Sequence, residues 1–282
     1  MKRLSLILSF ILLASILNSC YKTGEIIYQG NCKPVEMDSQ IPGNIDALIS
    51  THHTFTYAGI NRQLATASEI RPAGPQYREE CTFSYDANNN LTEIRIIYYP
   101  FDDPNPVGDG KWVLTYIAGS KNSISDSIKV QFFALDGQKP IANYYFKFNA
   151  EFQLTAIINN NNNAVIRKLE YDNGGNCVKK IFYTDDGLFM TGFIEYSNYD
   201  NKINPGRTDR SLQIAKGLYS KNNPGRVTGY GYAAGNPIPI LQSDDIITYT
   251  YNSRSYPITR NNAFYASYDC IAADPNAPAP KN

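Results

Sequence analysis

The stretch YDNGGNCVKKIFY, residues 171–183, contains the pattern on which the fold prediction depends. Its Tyr-Asp pair is followed by the turn formers Asn, Gly, Gly and Asn, and then by a run of alternating side chains. Asn and Gly accept the positive φ angles that tight hairpin turns require. The stretch therefore predicts a β-hairpin, in which one strand ends at the Tyr-Asp pair and the next begins after the turn.

Similar units recur along the chain. A near copy is SYDANNNLTEIRIIYY, residues 84–99, and large apolar side chains occupy every second position within residues 112–117, 128–132, 144–149 and 247–251. A period of two is typical of half-buried antiparallel strands. The 22 tyrosines also favour strands. The sequence predicts an all-β fold, a large twisted or rolled antiparallel sheet of consecutive hairpins, with short helix candidates only at residues 40–50 and 211–218.

The two Tyr-Asp units resemble the YD repeat, whose pattern is roughly Tyr-Asp-x-x-Gly-x-Leu, and residues 148–154 are a looser third copy. The segments EYSNYDNKINP (residues 195–205) and SKNNP (residues 220–224) are similar to a group of uncharacterised bacterial lipoproteins. That resemblance covers roughly residues 81–270. It implies a single antiparallel sheet of many strands and a location in the cell envelope, and it implies no particular activity.

The N-terminus resembles a lipoprotein signal. Lys2 and Arg3 precede an apolar run at residues 4–17, and Leu17-Asn18-Ser19-Cys20 resembles the lipobox, at whose cysteine a diacylglycerol is attached. We expect removal of residues 1–19, a lipidated Cys20 that anchors the protein to a membrane, and a tether at residues 20–32. A single β domain at residues 33–270 and a flexible Pro-rich tail at residues 271–282 follow. The outer membrane is the expected location, on either face.

Four further cysteines allow three complete disulfide pairings in an exported protein, and the sequence does not rank these pairings. They are Cys32, Cys81, Cys177 and Cys270. Their wide spacing excludes a CxxC motif. Each could instead be a small buried side chain, since Cys177, for example, has the same strand parity as Ile181 and Tyr183.

Catalytic and cofactor signals are weak. His52 and His53 are adjacent and would point to opposite faces of a strand, and no HExxH or Gly-x-Ser-x-Gly motif is present. The oxygen-rich loop with Asp102, Asp103, Asn105 and Asp109 does not match a calcium-binding loop and is better explained as a solvated turn. The acid pairs at residues 185–186 and 244–245 flank turns or strand starts. We assign no catalytic, metal or cofactor residue.

Composition narrows the function classes. Lys plus Arg equals Asp plus Glu, 26 each, so a nucleic-acid partner is not expected. The favoured hypothesis is a non-catalytic binding module that recognises a glycan, an envelope component or a partner protein through Tyr or Trp rings. The alternative is a hydrolase whose carboxylates converge only in the folded chain. A third hypothesis is a carrier that holds an apolar ligand inside a rolled sheet.

The lipobox generates the first prediction. The native protein should enter the detergent phase in a phase-partition experiment, because acyl chains contribute ~0.8 kcal/mol per buried methylene. The Cys20→Ala variant should remain an uncleaved precursor or lose its anchor. Metabolic labelling with a radioactive fatty acid checks the lipid directly, and label retained by Cys20→Ala would refute this assignment.

Overall fold

The computed structural model of the protein describes residues 32–40, 50–59, 62–71, 77–100, 103–117, 127–134, 139–216, 220–233 and 236–270. The predicted signal peptide, Cys20 and the predicted tail at residues 271–282 lie outside the described residues. The helix candidate at residues 40–50 does so as well, apart from Gln40 and Ser50, which belong to strands.

Nearly all of the regular secondary structure in the described residues is antiparallel strand, which confirms the predicted fold class. The strands are β1 Cys32–Gln40, β2 Ser50–Ala58, β3 Gln63–Arg71, β4 Tyr77–Tyr85, β5 Leu91–Pro100, β6 Gly108–Ile117, β7 Ser127–Ala134, β8 Ala142–Phe148, β9 Leu154–Asn159, β10 Ala164–Tyr171, β11 Cys177–Tyr183, β12 Met190–Ser197, β13 Arg226–Gly231, β14 Ile240–Ile246, β15 Tyr249–Tyr251, β16 Pro257–Arg260, β17 Ala263–Phe264 and β18 Ala266–Cys270. A 3-10 helix, Pro205–Thr208, and a short α-helix, α1 at Arg210–Lys216, precede β13.

The large sheet has fifteen strands, of which β1 to β14 follow each other in chain order and β18 pairs with β1. The other three strands form a small sheet in the order β15-β16-β17. Because β15 closely follows β14 and β17 closely precedes β18, the small sheet spans the space between the two edge strands. One core cluster includes Met37 of β1, Leu169 of β10 and Ala266 of β18, and Leu212 of the helical segment packs into it. The sheet is therefore rolled.

The two faces of the rolled sheet differ in chemistry. The inner face carries one cluster of buried apolar side chains, which includes Phe55, Leu64, Phe83, Ile94, Leu114, Val130, Leu154 and Leu169. The outer face carries cross-strand ion pairs, such as Lys111–Glu93 at 3.2 Å and Lys179–Glu195 at 2.9 Å. This alternation follows from the period of two along each strand. The outer face suits contact with water.

The two ends of the large sheet also differ. We call the end formed by the connections after β5, β7, β9, β11 and β13 the apolar end, because it exposes Val107, Ile141, Leu188, Phe189 and Ile238. The opposite end, the helix end, is formed by the connections after β4, β8, β10 and β12. The connection after β12 contains the 3-10 helix and α1, and it packs against the inner face.

Specific contacts attach α1 to the inner face. Leu212 is fully buried in the core, and the Tyr85 hydroxyl is hydrogen-bonded to the Ser211 hydroxyl at 2.8 Å. Asp209 accepts hydrogen bonds from the backbone N–H groups of Ser211 and Leu212, which caps the helix. The buried Lys33 ammonium lies 2.8 Å from the Asp209 carboxylate. The helix lies where residues 211–218 predicted one, and residues 217–219 are outside the described chain.

One five-residue turn geometry recurs in four hairpins. The first residue uses its side-chain oxygen to accept a hydrogen bond from the backbone N–H of the fifth residue, at 2.8 to 3.0 Å. The fourth residue adopts a positive φ angle, from 57 to 83°. The turns begin at Asp86, Asn149, Asp172 and Asn252 and have Asn89, Phe152, Gly175 and Ser255 at the fourth position. Both predicted Tyr-Asp hairpins thus form as expected.

The four described cysteines form one disulfide and two buried thiols. Cys32 and Cys270 form a disulfide between β1 and β18, so Cys32 belongs to the first strand and not to a tether. Cys81 and Cys177 are buried thiols. The expectation that Cys177 shares a face with Ile181 fails, because the register shifts between Glu170 and Tyr171 and places Cys177 beside Tyr171.

The disulfide generates the second prediction. It joins residues separated by 238 positions, and loop-closure entropy of this size corresponds to up to ~5 kcal/mol of stability. A reductant should therefore lower the melting temperature, measured by circular dichroism, by ~10 °C or more. The double variant Cys32→Ser, Cys270→Ser should melt at the lower temperature with or without reductant. Equal melting temperatures for the oxidised and reduced native protein would contradict this.

Candidate functional site

A pocket of about 310 Å³ lies on the inner face between β3–β8 and α1. Small-molecule sites usually have volumes of ~300–1,000 Å³, so the pocket suits a small ligand. Alternate residues of neighbouring strands point into it because side chains on a strand alternate between faces. Its lining consists of Ala67, Glu79, Cys81, Phe83, Ile94, Ile96, Tyr98, Trp112, Leu114, Val130, Phe146 and Ile214.

Glu79 is the single charged side chain among the described residues of this lining. Its Oε1 accepts a hydrogen bond from the Cys81 thiol at 3.2 Å. Cys81 is two residues further along β4, so both side chains point to the inner face. The pocket therefore combines apolar walls with one acidic group at a defined position.

The inner-face neighbours of Glu79 are also ionisable. Cross-strand pairing places Glu69 of β3 directly opposite Glu79, and His53 of β2 directly opposite Glu69. The His53 ring stacks near Phe55, and its Nδ1 lies 3.5 Å from Glu69 Oε2. Both side chains of this His53–Glu69 pair are largely buried. We call His53, Glu69 and Glu79 the acidic row, since it contains two carboxyl groups and one imidazole.

The aromatic wall of the pocket is held by close packing. Trp112, the only tryptophan of the chain, contacts Phe132 with ring centroids 4.8 Å apart. A Cβ atom at Gly110 would lie 2.6 Å from the Phe132 ring and 2.9 Å from a backbone oxygen. Glycine at this position therefore allows the Phe132 ring to lie across β6 and support Trp112.

Tyrosines have mainly structural roles. In the described residues every Tyr and Trp is buried or partly buried, rather than fully exposed. Several hydroxyls donate to backbone carbonyls, as Tyr85 does to Leu64 and Tyr171 to Leu154, both at 2.8 Å. Burial raises the pKa of the Tyr57 and Tyr268 hydroxyls, which keeps them neutral donors. The rings expected to bind a ligand from the surface instead pack the sheet or line the pocket.

A second polar group lies on the inner face of β10 and β11. Burial lowers the pKa of the Lys180 ammonium and raises the pKa of the Cys177 thiol to about 11. The Arg167 guanidinium lies over the Phe182 ring at 5.1 Å. None of these residues lines the pocket. They lie on the inner face away from the pocket, and parity along β11 did not predict this position for Lys180 because the bulge shifts the register.

The structure does not bring the histidines and acids noted in the sequence into one site. Of these residues, His53 belongs to the acidic row. His52 points away from the acidic row and lies 2.7 Å from an Asp38 oxygen. Asp103 accepts hydrogen bonds from Asn105 within its loop, whereas Asp109 lies 3.6 Å from Arg95 on the outer face. Among the described residues, no group of three or more His, Cys, Asp or Glu side chains is placed to hold a metal ion. Asp102 lies outside the described residues.

The acid pairs stabilise turns and strands. The Asp186 carboxylate interacts with the Thr184 hydroxyl and with the Leu188 backbone N–H, and the hydroxyl interaction lowers the pKa of Asp186. Asp244 accepts two hydrogen bonds from Arg226, which lower the pKa of Asp244. These contacts give Asp186 and Asp244 structural roles.

The sequence analysis did not single out Glu69 or Glu79. The available signal was parity, because Glu79 has the same parity on β4 as Cys81 and Phe83, both of which were expected to face the core. A charged side chain at such a position either has a partner in the core or serves a ligand.

Comparisons with known proteins add little. No family model and no curated protein matches the chain. The crystal structure of a porin-like protein from Bacteroides uniformis is similar over 83% of this chain and 93% of that chain, at 12% identity and a TM-score of 0.42. A similarity of this extent assigns neither fold nor activity. Within the described residues, no helix is both long and apolar enough to cross a membrane.

Thiol reactivity tests the environments around the pocket. In the domain that begins after Cys20, Cys81 and Cys177 should react slowly with an aromatic disulfide reagent at pH 8, because both are buried and the raised pKa of Cys177 leaves little thiolate. Denaturant alone should expose two reactive thiols. Denaturant after reduction of the disulfide should expose four. The Cys177→Ser variant should release one fewer in each case. Rapid reaction in the native protein would contradict the described burial.

Proposed function

We propose that the protein is a lipid-anchored β-domain protein of the bacterial cell envelope that binds a small apolar ligand inside its rolled sheet, without catalysis. The observation that carries this proposal is the distribution of side chains between the two faces. Ion pairs occupy the outer face, and an apolar pocket of about 310 Å³ lies on the inner face.

The walls of the pocket suit an apolar ligand. Rings of Phe83, Trp112 and Phe146 and branched aliphatic side chains supply most of the lining. Burial of apolar surface stabilises a complex by ~25 cal/mol per Å² before the cost of association. A glycan would meet few hydrogen-bonding groups in this lining, so an apolar ligand fits better than the glycan considered from the sequence.

The ends of the sheet indicate how a ligand would enter. The helix end is covered by the connection that contains α1, whose Ile214 closes the pocket on that side. At the apolar end, the connections that follow β5 and β7, two strands of the pocket, expose Val107 and Ile141. Apolar side chains around an entrance lower the cost of transferring an apolar ligand from a membrane or a carrier. We propose that ligands enter at the apolar end.

The lipid anchor belongs to the same proposal. An acylated Cys20 would keep the domain at a membrane surface, where apolar molecules are concentrated. Residues 21–31 could span at most ~35–40 Å if extended, so the domain would remain within that distance of the lipid. The outer membrane is the proposed location.

A hydrolase remains the second candidate because two carboxyl groups face each other on the inner face. Glu69 and Glu79 are directly paired across β3 and β4, and side chains in such pairs have Cβ atoms ~4.5–5.5 Å apart. Retaining glycosidases place their two carboxyl groups ~5–5.5 Å apart. Release of product from an aryl glycoside by the purified domain would distinguish this candidate from a binding protein.

Trp112 makes the binding proposal measurable, because it is the only tryptophan and lines the pocket. Titration of the domain with n-octanol should shift Trp112 emission in a saturable way. The Ala67→Leu variant should weaken this binding about tenfold or more, because Ala67 lines the pocket and the larger side chain would fill part of it. The matched variant Ala150→Leu, at an exposed turn, should bind like the native protein.

Two outcomes would contradict the proposed function. One is the absence of a saturable change up to the solubility limit of octanol. The other is equal binding by the native protein and Ala67→Leu when circular dichroism shows that the variant is folded, since the ligand would then occupy another place.

A further inference from the structure

The pocket carries a negative charge at one end, and this feature is not explained by packing. Glu79 is the single charged group of its lining, and its described contact is a hydrogen bond from a thiol. Thiols are weak donors. Burying a carboxylate costs free energy unless an opposite charge or good hydrogen-bond donors compensate. A ligand that supplies such a charge would gain from this arrangement.

The groups behind Glu79 strengthen the negative potential. Glu69 is its direct cross-strand neighbour, and His53 follows in the same row. This row places a second carboxyl group, that of Glu69, beside Glu79. The described part of the pocket lining contains no Lys or Arg side chain. On the adjacent outer face of β4, Arg78 contacts Tyr99 and Glu80 and does not belong to the lining.

Register shows where the acidic group lies along the pocket. On β4, the order from the apolar end to the helix end is Glu79, Cys81, Phe83 and Tyr85, and Tyr85 is hydrogen-bonded to Ser211 of α1. Glu79 therefore lies toward the apolar end, which is the proposed entrance. The deeper part, near Ile214, is apolar.

We infer that the ligand is amphipathic, with an apolar body that fills the deep part of the pocket and a compact cationic group, such as a primary ammonium, that pairs with Glu79. This inference rests on the proposed binding function and adds the polarity of the ligand. Glu69 supports the same charge from the neighbouring strand.

Three probes of equal chain length test the inference: n-octylamine, n-octanol and n-octanoate. At pH 7 the first is a cation, the second is neutral and the third is an anion. Affinities measured by Trp112 emission should fall in the order amine, alcohol, carboxylate. The amine should bind about tenfold or more tightly than the alcohol, because hydrogen bonds between charged groups are stronger than those between neutral groups. Octanoate should bind more weakly than octanol.

Charge variants supply the control. Glu79→Gln keeps the size of the side chain and should reduce the ratio of amine affinity to alcohol affinity to about twofold or less. Glu80→Gln, which removes a carboxylate from the next residue on the outer face, should keep the full preference. Glu69→Gln should reduce the preference by a smaller factor.

The results of these titrations distinguish failure of the inferred charge from failure of the proposed function. If none of the probes binds, the proposed function fails. If octanol binds and the amine has no advantage, or octanoate binds best, the binding function stands and the inferred charge is wrong. A preference for amine that survives in Glu79→Gln would also overturn the inference, because the cation would then contact another group.

Discussion

The fold depends on a side-chain hydrogen bond that closes each repeated turn. The first residue of the turn, Asp86 or Asp172, accepts the backbone N–H of the fifth residue at 2.9 Å and so fixes a five-residue connection. Connection length sets the register of the two strands, and a shift by one residue would move every side chain to the opposite face. The preceding tyrosine, Tyr85 or Tyr171, donates to the backbone carbonyl of the strand before it. These contacts thus determine which side chains reach the inner face.

Rolling the sheet requires contacts between parts of the chain that are distant in sequence. The disulfide joins Cys32 to Cys270 at the β1–β18 edge, and the small sheet bridges from β14 to that edge. The Lys33–Asp209 pair connects β1 to the segment that holds α1. An ion pair with both partners buried adds little stability over apolar packing, but it is costly to break on one side. Its effect here is to position the helical segment against the inner face.

The sequence pattern predicted those features of the fold that depend on interactions between neighbouring residues. The all-β class, the turns at residues 86–90 and 173–176 and the opposite directions of His52 and His53 follow from parity and turn chemistry, which need only a few neighbouring residues. Parity failed at Cys177, where a bulge shifts the register, because a bulge has no clear sequence signal in a single chain. Disulfide pairing, the curvature of the sheet and the Glu69–Glu79 pair depend on contacts that the local pattern of residues does not specify. The candidate site was missed for this reason, although a charged Glu79 at an apolar parity position was visible.

The contrast between the two faces limits what the molecule can do at a membrane. A sheet with ion pairs outside and apolar side chains inside can shelter an apolar molecule while the domain itself stays in water. The helical segment closes one end, so the pocket has a deep apolar part and an acidic part nearer the entrance. A purely apolar ligand would leave Glu79 desolvated and poorly compensated, whereas an amphipathic cation would satisfy both parts. The position of one carboxylate in the wall thus favours a ligand that enters with its apolar end first.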